Sequence, residues 1–236
     1  AGPALEGGVA SMGMMAAPGA IDHVEIDPDT GNFAIRTIDD EVPVGICGSG
    51  LIDLVAQLYL SGMIDLRAKY IPERCGERLV EIDGARHLVV VPPERSGTGE
   101  PLTLSQADID SLIRSKAAMY TILTTISNTM GIPLNEVGRF YIAGTFGAYI
   151  DPRSAITLGM IPDLPLDTYV PLGNTALEGA VLGLLSESSR DEAFAIRDRI
   201  TYLELNVNQE FMNLFSAAKF IPHTDKSLFP SVKPWE

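Results

Sequence analysis

Strand-length apolar runs alternate with longer amphipathic runs along the chain, and this alternation restricts the possible folds more than any other feature of the 236-residue sequence. One apolar run ends at Gly144 and another at Gly173, and helix-compatible sequence follows each of them. No segment of roughly 20 to 50 residues repeats. Because alternating strands and helices are typical of layered folds, the sequence predicts an α/β architecture.

Two β-hairpins are predicted in the first half of the chain. Apolar alternation indicates strands over residues 21–26 and 33–38, on either side of a turn-rich segment. A second hairpin is predicted over residues 79–91, with its turn at Asp83-Gly84. Residues 92–101 contain the glycine, proline and serine that are typical of a linker.

Helix signals are clearest at two places. Apolar spacing predicts a helix that begins near Ser49 and ends before Gly62. A longer helix is predicted from Ser105 to about Met130, because Ser105 and Asp108 have the spacing of a capping box. Further elements are predicted as a small-residue helix through Leu185, a charged helix over 188–200, a strand over 202–205 and an amphipathic helix over 209–218.

The predicted organisation is one domain with an insertion. We expect the domain to cover residues 1–222, with an inserted hairpin region at about 64–101 and a tail over residues 223–236. The chain opens on Ala1-Gly2-Pro3 without an initiator methionine or a leader. This start indicates either removal of the methionine or a cut inside a longer protein.

Charge and hydropathy exclude two classes of partner. The net charge is −14, and the lysines and arginines form no basic stripe. A sequence-independent grip on nucleic acid needs clustered cations, and an acidic surface disfavours anionic membranes. No apolar run approaches the roughly 18 residues that span a bilayer. We therefore expect no nucleic-acid partner, no membrane association and a cytoplasmic location.

Cysteine and histidine spacing predicts no metal site. Cys47 and Cys75 form no CxxC pair, so neither a zinc site nor an iron–sulfur cluster can be built from them alone. We expect two reduced, partly buried thiols. The three histidines, His23, His87 and His223, lie far apart and show no HxxH spacing.

The strongest local signal for a ligand is the turn Gly144-Thr145-Phe146-Gly147, which follows a strand-like run. Its glycines let a ligand approach the backbone, and a following helix offers free N–H groups and a positive dipole end. Such a turn suits an adenine, a ribose or a phosphate. A tight strand-to-helix turn without a ligand would contain the same two glycines, so both interpretations stay open.

Gly48-Ser49-Gly50, just before a predicted helix, is a second candidate cradle for an anion. Ser49 could instead serve only as an N-cap, which requires no ligand. Asp53 follows one helical turn later and could hold a ribose hydroxyl or, through water, a metal. As an isolated carboxylate, it could equally be solvated.

Two further candidates lie at the start of the chain and on the long helix. Residues 2–8 are predicted to form a glycine-rich turn that contains Glu6. Glu6 could accept from ribose hydroxyls, position a water or simply start a helix. Gly2 is the first glycine of that turn. Lys116 could reach a phosphate or pair with a carboxylate, but we expect it to be exposed at the surface.

Taken together, five segments resemble the C-terminal domain of ferredoxin-like reductive activators of corrinoid proteins. In order, they are AGPALEGG, GICGSGLID, IAGTFGAYID, GNTALEGA and YLELNVNQEFMNLF. The resemblance runs from Gly2 to about Pro222, and five ordered motifs are more specific than a single glycine turn. It implies an actin-like ATPase fold with ribonuclease-H-like lobes that close on a nucleotide, and here a truncated part of such a two-lobe domain.

The resemblance also implies a function. Members of the family couple ATP hydrolysis to the reduction of Co(II) corrinoid proteins to Co(I), with electrons from an N-terminal [2Fe-2S] domain. It therefore implies ATP with Mg²⁺ as the ligand and a corrinoid protein of a methyltransferase system as the partner. It places the [2Fe-2S] cluster in sequence outside this chain, and it is compatible with a homodimer.

Specific roles follow from the motif matches. The adenosine motif of the family reads Gly-Gly-x-Gly; Gly144, Phe146 and Gly147 match it, and Thr145 replaces the second glycine. Gly48-Ser49-Gly50 and the segment from Gly2 to Glu6 align with glycine turns expected near the nucleotide. The two phosphate motifs of the family do not occur in these residues. Because phosphoryl transfer depends on such motifs, we expect this chain alone to bind ATP weakly and to hydrolyse it poorly.

Two other functions stay open at this point. The chain could be a non-catalytic actin-like module for interaction or dimerisation, which Thr145 and the missing phosphate motifs favour. It could also be a small-molecule kinase of the same superfamily, but the sequence identifies no aspartate as the base that a kinase would use.

Overall fold

Strands and helices alternate in the computed structural model, which describes residues 10–235, so the predicted α/β class is confirmed. The strands are β1 (Ala20–Ile26), β2 (Phe33–Thr37), β3 (Gly45–Ile46), β4 (Leu79–Ile82), β5 (Ala85–Val91), β6 (Leu102–Ser105), β7 (Phe140–Ala143) and β8 (Tyr169–Gly173). The helices are α1 (Gly48–Leu60), α2 (Pro72–Cys75), α3 (Gln106–Met130), α4 (Pro152–Leu158), α5 (Thr175–Leu185), α6 (Glu187–Arg197) and α7 (Gln209–Ala218).

Within residues 10–235, the strands form three small sheets. The first has the order β2-β1-β3, in which β1 and β2 form the first predicted hairpin and β3 runs parallel to β1. The second has the order β4-β5-β6 and contains the second predicted hairpin. Its turn residues Asp83 and Gly84 both have positive φ, at 51° and 76°, as a two-residue hairpin turn requires. Strands β7 and β8 pair in parallel.

Helix α1 packs against β1 at very short range because of Gly50. A Cβ atom on Gly50 would lie 2.1 Å from the carbonyl oxygen of Ile21, so only glycine permits this approach. Eleven of the thirteen residues of α1 are buried, and α4 covers another part of its surface. The core of the domain is therefore built around α1.

Helix α3 begins and ends as the sequence predicts. The Ser105 hydroxyl accepts from the Asp108 N–H, and the Asp108 carboxylate accepts from the Ser105 N–H, which completes the capping box. At the other end Gly131 takes the left-handed conformation, with φ 64°, and ends the helix. Helix α7 packs along α3.

The structure differs from the sequence predictions in three elements. Residues 202–205 form no strand, because no other strand in residues 10–235 pairs with them. Strand β6, which was not predicted, lies between the predicted linker and α3 and pairs with β5. The helix expected directly behind the Gly144 turn is α4, but it begins only at Pro152, where Asp151 and Pro152 are favourable residues for a helix start.

The segment beyond residue 222, which the sequence pattern set apart as a tail, packs onto the domain. Phe229 is 2% exposed and contacts the ring of Tyr120 on α3. The indole of Trp235 lies against the guanidinium of Arg74, and its backbone N–H donates to the carbonyl of Leu60. No helix in the described part of the chain is both long enough and apolar enough to cross a membrane.

Candidate functional site

Two of the predicted glycine turns meet across one cleft. The cleft has a volume of about 800 Å³ and lies between the start of α1 and the turn that follows β7. Gly48 and Ser49 line it from the first side, and Thr145 and Phe146 line it from the second. The fold therefore brings together two candidate sites that are far apart in the sequence.

The start of α1 presents backbone N–H groups at this cleft. The helix begins at Gly48, so Ser49 lies inside the first turn and Cys47 occupies the cap position. The Cys47 thiol donates to the carbonyl of Ile21, and it does not cap the helix. First-turn N–H groups have no partner within their own helix, so they can donate to an anion in the cleft.

The turn after β7 has the backbone conformation that its glycines allow. Gly144 has a φ of +100°, which is strained for any residue with a Cβ, and the space around its Cα is open. Gly147 is buried, and a Cβ there would lie 2.5 Å from the Cγ2 atom of Ile142. Thr145 is exposed at the cleft, beside the aromatic rings of Phe146 and Tyr149.

Charged residues of the first hairpin form the remaining wall of the cleft. Arg36 donates two hydrogen bonds to the Asp22 carboxylate, at 2.9 and 2.8 Å, and these bonds raise the pKa of the guanidinium. Asp39 and Asp40 follow at the end of β2 and have positive φ values. The wall therefore carries one neutralised ion pair and two further carboxylates.

Asp53 does not lie in the cleft, so the contact with a ribose or a metal that the sequence suggested for it is not formed there. Its side chain is buried, and Oδ2 accepts from the N–H of Val24 at 2.7 Å. The Oδ1 atom accepts from the Ser154 hydroxyl at 2.5 Å, and the imidazole Nδ1 of His23 lies 2.7 Å from Oδ2. Because protein groups surround both oxygens, Asp53 is in no position to touch a ligand.

Lys116 is fully buried, and the expectation that it is exposed was wrong. Its ammonium group donates to the carbonyl oxygens of Phe220 and Pro222, at 2.5 and 2.8 Å. Burial lowers the pKa of Lys116 to about 7. The segment after α7 folds back over α3 and covers this lysine, so Lys116 does not reach the cleft.

Of the remaining candidate residues, one has a packing role and two lie outside the part of the chain that the structure describes. Gly50 faces β1 and does not line the cleft, so its missing side chain serves the packing of α1. Gly2 and Glu6 lie outside the described residues. Both thiols are buried and free, and burial raises the pKa of Cys75 to about 11.

Several cleft residues carried no signal in the sequence. Asp22, Arg36, Asp39 and Tyr149 line the cleft, but each is an ordinary polar or aromatic residue when the sequence is considered alone. Only the pairing of β1 with β2 and the position of the β7 turn place them on one surface. Among residues 10–235, no group of three or more histidine, cysteine or acidic side chains is arranged to hold a metal ion.

The chain matches known proteins over nearly all of its length. A family model described as the C-terminal domain of RACo, the ASKHA domain, matches residues 1–233. The chain is 31% identical, over 224 residues, to the corrinoid activation enzyme RamQ of Eubacterium limosum. It is 25% identical, over 239 residues, to the Co(II) methylated amine-specific corrinoid protein reductase of Methanosarcina barkeri.

A solved structure matches as well. It is a reductive activator for a corrinoid, iron-sulfur protein, with a TM-score of 0.92, 41% identity and coverage of 98% of this chain. The matches cover 91% of this chain in both curated relatives, yet the chain spans only 37 to 40% of the length of these three proteins. The predicted actin-like fold class is confirmed by the family model and the structural match.

Proposed function

The chain belongs to the family described as the C-terminal domain of RACo, the ASKHA domain, and from this membership we propose that it is the nucleotide-binding part of an activator of corrinoid proteins. Its nucleotide is ATP, used with Mg²⁺. ATP hydrolysis supplies the free energy for reducing the partner's cobalt from Co(II) to Co(I). The names of the relatives, which are corrinoid activators and reductases, support this role.

The cleft between the two glycine turns is the observation that carries the proposal. Its volume of about 800 Å³ lies within the range of roughly 300 to 1,000 Å³ that is typical of ligand sites. The β7 turn, with Gly144, Thr145, Phe146 and Gly147, corresponds to the adenosine motif of the resemblance. The start of α1 faces the same space.

The adenosine half of ATP fits the residues that line the cleft. The rings of Phe146 and Tyr149 offer an aromatic surface for a base. Open space above the Gly144 backbone lets a ligand approach the chain closely. On the opposite side, the first-turn N–H groups at Gly48 and Ser49 are suited to hold a phosphate.

The metal half of the site has fewer ligands. The described residues contain no cluster that would hold Mg²⁺ by itself, although Asp39 and Asp40 lie at the cleft. We infer that the remaining phosphate and Mg²⁺ contacts come from the part of the protein outside this chain. The same part would contain the [2Fe-2S] cluster that delivers the electron. We place the protein in the cytoplasm, where it would meet its partner, a corrinoid protein of a methyltransferase system.

Titration calorimetry with ATP and Mg²⁺ on the full-length protein tests the nucleotide site. Gly144→Ala should weaken ATP binding about tenfold, because a Cβ at φ +100° changes the turn that lines the cleft. Gly84→Ala is the matched control, since Gly84 also has a positive φ and open surroundings but lies on the second hairpin. Undetectable binding by the wild type, or equal binding by both variants, would contradict the proposal.

A second candidate function is an interaction or dimerisation module. Helix α5 supports it, because this helix has no buried residue, and Leu184 and Leu185 are 81% and 80% exposed. An exposed apolar surface of this kind is typical of a contact site. Analytical ultracentrifugation of the wild type and of a Leu184→Asp variant separates the two functions: dimers lost in the variant, without ATP binding in either, would favour the module.

A further inference from the structure

A buried polar cluster joins three elements behind the cleft. Its centre is Asp53 on α1, which is 3% exposed. The carboxylate accepts from the N–H of Val24 on β1 and from the Ser154 hydroxyl on α4, and it lies beside the imidazole of His23. A carboxylate carries no proton of its own, so it can accept from several donors at once.

Each element that contacts Asp53 either contributes a residue to the cleft or directly follows a segment that does. On β1, Asp22 lines the cleft directly before His23. On α1, Ser49 lines the cleft one helical turn before Asp53. The third connection is made through α4.

The connection through α4 leads back to the adenosine-type turn. Tyr149, at the end of that turn, lines the cleft, and the chain then enters α4 at Asp151. The Asp151 carboxylate accepts from the N–H groups of Arg153 and Ser154, which fixes the first turn of α4. The Ser154 hydroxyl, in that first turn, donates to Asp53 at 2.5 Å.

From this arrangement we propose that Asp53 is a positioning residue, which sets the distance between the two turns that bind the nucleotide. It acts through Ser154 on one turn and through its own helix on the other, and it does not touch the nucleotide. The inference rests on the proposed function, because the ligand of the cleft is taken to be ATP. It assigns the geometry of the cleft to a hydrogen bond behind its wall.

Two variants separate a positioning role of Asp53 from a direct effect of its negative charge on the ligand, because the two roles predict opposite results. In Asp53→Asn the amide oxygen can still accept from Val24, and the amide nitrogen can donate to the Ser154 oxygen. The Ser154 hydroxyl is then free to donate to Asp151, whose Oδ2 atom is 3.2 Å away. The geometry is kept while the charge is lost. In Ser154→Ala the charge is kept while the link between α1 and α4 is lost.

The experiment measures the KM for ATP and kcat of ATP hydrolysis in the full-length protein with its corrinoid partner. Ser154→Ala should raise the KM about tenfold and leave kcat within about twofold, because the turns are displaced and the reacting groups are not changed. The KM of Asp53→Asn should stay within about threefold of the wild-type KM. In contrast, Asp53→Ala should raise the KM by about as much as Ser154→Ala does. Ser127→Ala is the control, since it removes a buried serine hydrogen bond at the far end of α3.

The results separate the failure of this inference from the failure of the proposed function. A wild-type KM in Ser154→Ala, together with weaker binding in Gly144→Ala, overturns the positioning role and keeps the nucleotide site. A KM that rises in Asp53→Asn but not in Ser154→Ala also overturns it, because the charge would then act directly. Absence of ATP binding in the wild type would overturn the proposed function itself. Melting temperatures of Ser154→Ala and Ser127→Ala, measured in parallel, should fall by similar amounts.

Discussion

Helices α1 and α5 have similar apolar compositions but very different surroundings. Each follows a strand after a single residue, Cys47 or Asn174, and both consist mainly of apolar and small residues. Eleven of the thirteen residues of α1 are buried, whereas none of the eleven residues of α5 is buried. Strand β1 and helix α4 cover α1, while α6 is the main neighbour of α5 among the described residues.

An apolar helix sequence therefore predicts that the helix surface is packed against another surface, but it does not indicate which part of the protein, or which partner, provides that surface. Helix α1 finds cover within this chain, because Gly50 lets β1 approach and Asp53 links it to α4. Helix α5 presents Leu184 and Leu185 to solvent in residues 10–235. Exposure of these two leucine side chains to water is unfavourable, so this face of α5 is suited to contact another protein surface.

Replacing one glycine in each helix should give the largest difference in the free energy of unfolding between α1 and α5. Gly50→Ala should lower the free energy of unfolding by about 4 kcal/mol or prevent folding, because its Cβ would meet the Ile21 carbonyl at 2.1 Å. Gly179→Ala in α5 should raise it by about 0.5 kcal/mol, since nothing lies within 4 Å and alanine favours helix. Urea denaturation followed by circular dichroism measures both. Equal effects of the two substitutions would contradict the packing described for α1.

Removing a leucine side chain from each helix should have the next largest effect. Leu54 is fully buried, so Leu54→Ala should cost about 3 kcal/mol through lost burial and the cavity that it leaves. Leu182 is 57% exposed, and Leu182→Ala should change the stability of this chain by less than about 0.5 kcal/mol. The same pair measured in the full-length protein sharpens the comparison. A cost above about 1 kcal/mol for Leu182→Ala there would show that α5 is covered in the longer protein.

A buried charge extends the comparison to pH. Burial lowers the pKa of Lys116 to about 7, whereas the side chain titrates near 10.4 in an unfolded chain. Between these values the unfolded state binds more protons, so stability should rise with pH, by about 2 kcal/mol from pH 7 to pH 9. Lys116→Met should remove this increase, and Lys226→Met, at an exposed lysine, should retain it. The measurement is urea denaturation at a series of pH values, and a wild type whose stability is flat over this range would contradict the assignment.

Local signals in the sequence were sufficient for much of the fold. The two hairpins, α1, α3 with its capping box, and α7 were predicted because their determinants lie within a few residues of one another. The strand predicted over residues 202–205 was wrong, because a strand depends on a distant neighbour that pairs with it. The site was predictable only in part. The turns at Gly48 and Gly144 were identified, and the family resemblance placed both near the nucleotide, but local patterns alone did not show that they meet across one cleft.

Asp53 and Lys116 show where sequence reasoning ends. Both were candidates for a ligand contact or a solvent-exposed position because of their charge, and both are buried against other parts of the chain. The sequence by itself determined the local elements, the glycine turns and the family resemblance, since these depend on short spacings and ordered motifs. Only the tertiary structure decided which turns face one another, which charges are buried and which apolar helix is covered. The physical reason is that these outcomes depend on hydrogen bonds and packing between residues about a hundred positions apart, such as the bond between Asp53 and Ser154.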